Sequence, residues 1–266
     1  MFPTRSRRET ATPWVSAAAL LGGLLLLYYL VPIAALLVAQ PPGAVLSRLG
    51  NPDVLRAAGV SLGSAAVSTA VATVLGVPLA YWLARTRARI RTLVTAVVVL
   101  PLVLPPVVGG MVLLTVVGPG TLVGSVAAAA GLPLTRSMAG VVLAQTFVAS
   151  PFVVVTAKAA FESVDRHLEH ASRTLGKSPG TTFRRVTLPL AAPGILAGMT
   201  LAFARSMGEF GATLMLAYYP RTLPVEVWVA FSTQGLEAAF PVAVVLVGVA
   251  VVVLAVLNAA GTTPWE

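Results

Sequence analysis

Residues 169–213 read EHASRTLGKSPGTTFRRVTLPLAAPGILAGMTLAFARSMGEFGAT. The first half is polar and basic and lies between two long apolar runs. The second half is apolar, yet it carries Arg205 and Glu209 four residues apart. A polar segment so placed has the character of a docking surface. Ionisable groups inside an apolar helix are costly and mark a pathway or a buried pair. Upstream and into the stretch, Val164, Leu168, Ala171 and Leu175 recur at i, i+4, i+7 and i+11. That spacing predicts an amphipathic helix with one apolar stripe. Gly176 is suited to end it. Ser178 can cap a second short helix with Pro179 at its first position. Pro189 and Pro193 open a further helix, expected over 190–217.

The whole composition agrees with an apolar solvent around this stretch. Of 266 residues, 57% are apolar and 10% charged, against roughly 25% charged in an ordinary soluble domain. The chain is expected to be an all-α, polytopic membrane protein. The net charge of +9 and pI near 11.0 would suit nucleic acid, but the Lys and Arg cluster between apolar runs, where the positive-inside rule places them. Nucleic-acid binding is therefore set aside. Cysteine is absent, which excludes disulfides, thiol catalysis and cysteine metal sites. With only His167 and His170, a histidine-rich metal site is not expected.

Six spans are expected. Residues 1–13 form a polar tail with Arg5, Arg7 and Arg8. The apolar run 14–38 is too long for a signal-peptide core of about 7–15 residues and long enough to span. Residues 40–56 are expected as a turn-rich connection. The second span covers 57–84, with Ser61, Ser64 and Ser68 on one face. Gly59 and Gly63 form a small-xxx-small pair suited to close helix approach. RTRARIR, at 85–91, carries four arginines, the strongest cytoplasmic marker. The third span, 92–117, is interrupted by Pro101, Pro105, Pro106, Gly109 and Gly110. Lipid offers no partner for the backbone groups that proline frees, so this helix should be enclosed by protein or line a cavity; a kinked packing helix is the alternative. A Gly-rich connection leads to the fourth span, 138–161. The polar loop 162–187 follows, then the fifth span, an outer connection at 218–238, a sixth span at 239–260 and a tail at 261–266. The membrane domain is thus 14–260. With both termini cytoplasmic, thirteen of the eighteen basic residues fall inside and four outside, with Arg205 in the membrane.

Gly176-Lys177-Ser178 looks like the end of a phosphate-binding loop. That loop needs glycine five residues before its second glycine, and Ala171 stands there. ATP chemistry is therefore assigned to a partner, and no cofactor to this chain.

Glu169-His170-Ala171, followed by Gly176 and Leu188-Pro189, resembles the cytoplasmic loop of ABC importer permeases, whose pattern has Ala where this chain has His170. The run LAFARSMGEFGAT, 201–213, closely resembles the fifth helix of molybdate permeases and less closely that of sulfate permeases. LPLVLPPVVGG, 100–110, looks like their third helix. The likeness covers about residues 55–260 and marks the first span as a subgroup feature. It implies a type I ABC importer permease in the cell (inner) membrane, importing molybdate or tungstate and forming its pathway as a homodimer in membrane lipid. Two ATPase subunits, holding ATP and Mg, would bind inside, and an oxyanion-binding protein outside. ATPase coupling would fall to Glu169, His170, Ala171, Gly176, Ser178, Leu188 and Pro189. Arg205, Gly208, Glu209, Phe210 and Gly211 would form either the translocation pathway or a clamp between helices. A sulfate or thiosulfate permease is the neighbouring reading. A secondary transporter with Arg205–Glu209 as its relay is a different class, but it has no need of the polar loop. A membrane-embedded enzyme would need a metal-ligand cluster or nucleophile–base pair, and none is visible in the sequence.

Overall fold

The computed structural model describes residues 13–259, so the expected tails at 1–13 (Pro13 aside) and 261–266 lie outside the described residues. Every regular element among the described residues is helical. α1 (Pro13–Ala39) is apolar on all sides and almost wholly exposed, as a helix surrounded by lipid would be. α2 (Pro42–Leu49) and the first turn of α3 (Pro52–Arg85) occupy the stretch expected as a connection at 40–56. The early start of α3 has a local cause. Asn51 Oδ1 accepts from Asp53 N at 2.8 Å and Pro52 takes the first helical position, so α3 starts five residues early.

The expected third span is split. α4 (Ile90–Val103) and α5 (Pro106–Val117) meet at a bend of 119°. Pro105 and Pro106 lack donors, and Pro106 restarts the helix at its first position. α6 (Leu122–Ala129) lies within the expected Gly-rich connection, capped by Thr121, whose hydroxyl accepts from Gly124 N at 3.0 Å. α7 (Met138–Ser163) matches the fourth span. The polar loop folds as α8 (Arg166–Thr174), α9 (Pro179–Thr182) and a π-helical turn, Phe183–Thr187. That turn runs directly into α10 (Leu188–Met207). The expected fifth span stops there. The chain breaks at 208–210 and restarts as α11 (Gly211–Leu216). α12 (Leu223–Gln234) replaces the expected outer connection, and α13 (Leu236–Ala259) closes the fold. Among the described residues, five helices are long and apolar enough to span, six if α4 and α5 are one broken span.

Ion pairs fix the relative directions. Arg85, at the end of α3, meets Glu169, and Arg91, at the start of α4, meets Glu162, at the end of α7. The C-terminal ends of α3 and α7 therefore share one end of the bundle, and the chain must cross back between them. α4 alone rises only about 21 Å, short of an apolar layer about 30 Å thick. The crossing is completed beyond the bend, which agrees with the expected six-span order.

α3, α7 and α10 form the core. Their contact faces are rich in small residues, with Ala65, Ala72, Ala144, Ala149, Ala157 and Ala202 all buried. In lipid such residues give van der Waals contact between backbones. A Cβ on Gly194 would sit 2.5 Å from Ala160 Cβ, and one on Gly198 2.0 Å from Thr156 Oγ1. Gly194 and Gly198 are the true small-xxx-small pair. At Gly59 and Gly63, by contrast, an added Cβ would meet nothing, so the expected close approach is absent there. The serine face of α3, Ser61, Ser64 and Ser68, is buried. Ser68 Oγ donates to Gln145 Oε1 at 3.0 Å, and Gln145 Nε2 donates to the Ser206 carbonyl at 3.1 Å. This fully buried chain ties α3 through α7 to the last turn of α10.

Candidate functional site

The polar loop is an elbow of two short helices on a pedestal. Asp165 caps α8, its Oδ1 accepting from His167 N at 2.8 Å. Gly176 ends that helix with φ +75°, a left-handed conformation that a side chain resists. Ser178 Oγ accepts from Thr181 N at 3.2 Å and caps α9. Ser172 and Thr182 join the two short helices through their hydroxyls at 3.0 Å.

The orientation of α8 differs from a simple amphipathic reading. Val164 is buried, but Leu168 and Leu175 are 48% and 79% exposed, and His170 and Ala171 are exposed too. The apolar stripe faces outward. The buried residue is Glu169, whose Oε1 meets Arg85 Nη2 at 2.6 Å and accepts from Thr187 Oγ1 at 2.8 Å. Glu169 thus holds α8 to the end of α3 and to the π-helical turn beneath α10. Arg166 Nη2 adds a bond to the Ala84 carbonyl at 3.3 Å. Tyr81, Phe161 and Phe183 pack edge-on or tilted below this clamp, with Tyr81 and Phe183 centroids 4.8 Å apart. Of the coupling residues read from the sequence, His170 and Ala171 are presented outward and Gly176 and Ser178 shape the elbow. Glu169 anchors it, and Leu188 and Pro189 begin α10. Arg85 and Thr187 were missed. Their signal was weak, since a single Arg in a basic cluster and a Thr before an apolar run look ordinary.

The second site lies at the other end of α10. Arg205 Nη2 is 2.5 Å from Glu209 Oε2, with the glutamate side chain 1% exposed and the arginine 28%. Glu209 Oε1 accepts from Ala212 N at 2.8 Å, so the carboxylate also caps α11. The break at 208–210 is what lets one carboxylate do both. Phe210 packs on Trp228 of α12 at 5.8 Å. Gly211 touches the start of α5, where a Cβ would lie 2.9 Å from Val107 N, whereas at Gly208 nothing is closer than Ala204 O at 3.8 Å. Next to it, a Cβ on Gly110 would lie 2.8 Å from Ala212 O. α5 and α11 therefore pack backbone to backbone. Gly110→Val should lower stability by about 3 kcal/mol, the upper end of overpacking costs, while Gly208→Ala should be near neutral. Thermal melting in lipid nanodiscs checks both.

Along α10, Leu190, Pro193, Ala204 and Gly208 are exposed. Their spacing places them on one face at 3.6 residues per turn. That unpartnered face ends beside the partly exposed Arg205 guanidinium.

Residues 76–261 match the family described as the binding-protein-dependent transport system inner membrane component. The chain belongs to that family. This permease is 59% identical, over 95% of its length and 93% of the relative's, to a probable molybdenum ABC transporter permease protein of Haloferax volcanii. It is 45% identical to a molybdenum transport system permease protein of Mycobacterium tuberculosis over 60% of this chain and 61% of that one. It is 42% identical to a molybdate/tungstate transport system permease protein of Pyrococcus abyssi over 46% and 49%. Its fold matches a bacterial ABC transporter that imports alginate, with TM-score 0.72 at 17% identity over 95% of this chain and 96% of that one. It also matches the MetNI methionine ABC transporter, with TM-score 0.63 at 20% identity over 79% and 96%. The expected fold class, an all-α importer permease, is borne out.

Proposed function

We infer that this permease carries molybdate or tungstate across the cell membrane as a homodimer driven by two separate ATPase subunits. The reading is carried by the 59% identity to a probable molybdenum permease across nearly the whole chain. The geometry supports it in three ways. The elbow presents Leu168, His170, Ala171 and Leu175 outward, a surface that a groove on an ATPase would cover. The Glu169 clamp links that surface to the base of α10. The exposed face of α10 ends at Arg205, a cation suited to an oxyanion. Two copies facing each other along this stripe would enclose a pathway. The basic clusters favour a cytoplasmic position for the elbow and both termini, and an oxyanion-binding protein would dock at the opposite end. ATP and Mg belong to the ATPase. Sulfate or thiosulfate is the competing cargo.

Uptake of labelled molybdate into vesicles holding permease, ATPase and binding protein tests this. Uptake should need ATP and be suppressed by excess tungstate but not by excess sulfate. Suppression by sulfate alone would reassign the cargo, and uptake without ATP would remove the class. A variant separates docking from folding. Leu168→Asp with Leu175→Asp changes exposed positions and should leave melting within about 0.5 kcal/mol. It should lower ATPase co-purification at least about tenfold, since charge in the core of an interface is strongly disfavoured. Unchanged co-purification would move the docking surface elsewhere.

A further inference from the structure

We propose that the flank of the elbow is a binding site for one anionic phospholipid, with the headgroup in an arginine-lined cup and an acyl chain in an apolar groove. The groove, of about 660 Å³, lies between α3 and the elbow and base of α10, lined among others by Val74, Val77, Tyr81, Phe183 and Ile195. The cup, of about 590 Å³, is lined by Ser178, Gly180, Thr181, Arg184 and Arg185. Gly180 lines both, so the two spaces adjoin there. An amphiphile with a negative head and an apolar tail matches that pairing in charge and polarity.

Three further features favour lipid. Among the described residues, no carboxylate lies within ion-pair distance of Arg184 or Arg185, and both are exposed. Their charges are left for an external anion. The groove follows α3 from Thr73 to Tyr81, about 12 Å at 1.5 Å per residue, and Arg85 ends that helix just beyond. It therefore enters the membrane from the side where basic pockets between helices meet anionic headgroups. Leu188 and Ile195, which line the groove, lie half a turn from the Leu190–Pro193–Ala204–Gly208 stripe. The groove thus opens away from the face assigned to the pathway. Phe183 belongs to the π-helical turn, so an occupant would touch the joint between elbow and α10.

The test uses the full chain in detergent, with phosphatidylglycerol or phosphatidylcholine added, and counts bound lipid by native mass spectrometry. The expected result is one retained phosphatidylglycerol, at least tenfold preferred over phosphatidylcholine. Arg184→Gln with Arg185→Gln should remove the preference. Gly180→Leu, where a Cβ meets nothing within 4 Å, should plug the junction and remove it too, with melting unchanged in both. Inorganic phosphate and glycerol phosphate at millimolar concentration should not displace the lipid. No preference in the wild type, preference surviving either variant, or displacement by inorganic phosphate would each overturn the proposal. So would loss of ATPase binding by the arginine variant without any lipid preference, which would assign the cup to the protein partner.

Discussion

Arg205→Ala should destabilise the permease by about 3–5 kcal/mol, the usual cost of stranding one member of a buried pair. The asymmetry of the pair makes this residue the sensitive one. Glu209 is 1% exposed and its carboxylate would be left without a counter-charge, whereas Arg205 is 28% exposed and can reach the open side of α10. Glu209→Gln should cost only about 1 kcal/mol, because Gln Oε1 can still accept from Ala212 N and cap α11. Arg205→Met with Glu209→Leu should regain most of the stability, less about 1 kcal/mol for the lost cap. Its uptake should nonetheless fall at least about tenfold, the equivalent of one lost contact of about 1.4 kcal/mol between guanidinium and oxyanion. Melting and molybdate uptake of the four proteins, measured together, decide the matter. A stable double variant with normal uptake would leave the pair as a clamp alone.

Glu169→Ala is the second large effect, and it is expected in coupling. Arg85 and Glu169 side chains are 15% and 9% exposed, so the pair is nearly buried. Its loss also frees the Thr187 hydroxyl. The outward stripe of α8 is untouched, so ATPase subunits should still bind and hydrolyse ATP. Uptake per ATP should fall more than about tenfold, because the elbow is no longer tied to the base of α10. Stability should drop by about 3 kcal/mol, the low end for breaking a buried pair, since Arg85 keeps some access to water. Exchanging the partners, Arg85→Glu with Glu169→Arg, should recover part of both. Full coupling in Glu169→Ala would show that motion passes to α10 by another route.

Much of this was legible in the sequence, for identifiable reasons. Basic clusters and apolar run lengths are bulk properties, so span order could be read without contacts, and the two loop helices could be read from local spacing and capping residues. Gly176 and Ser178 act locally, and the structure keeps their predicted roles at φ +75° and at the α9 cap. The break after Met207 was not legible, because no proline stands there. It is fixed by tertiary contacts: Gln145 bonding the Ser206 carbonyl, and Gly211 against Val107. The orientation of α8 was hidden for a similar reason. An apolar stripe is ordinarily turned inward, but here the buried bond from Arg85 to Glu169 turns the charged face in and leaves the stripe outside. Gly194 and Gly198 stood in plain sight as a small-xxx-small pair. Only the distances to Ala160 and Thr156 distinguish them from Gly59 and Gly63, where an added Cβ would meet nothing within 4 Å.

Through the Glu169 clamp, the elbow is expected to move an α10 face that lines the pathway. Since the chain has no cysteine, Ala204→Cys creates a unique thiol on that face. The measurement is its labelling rate by a membrane-impermeant thiol reagent, in nanodiscs with the ATPase, without nucleotide and with ATP trapped unhydrolysed. Labelling is expected in one state, with at least about a tenfold change on trapping ATP and loss of that change when Glu169→Ala is added. Equal labelling in both states, or no labelling in either, would show that the elbow does not drive this face.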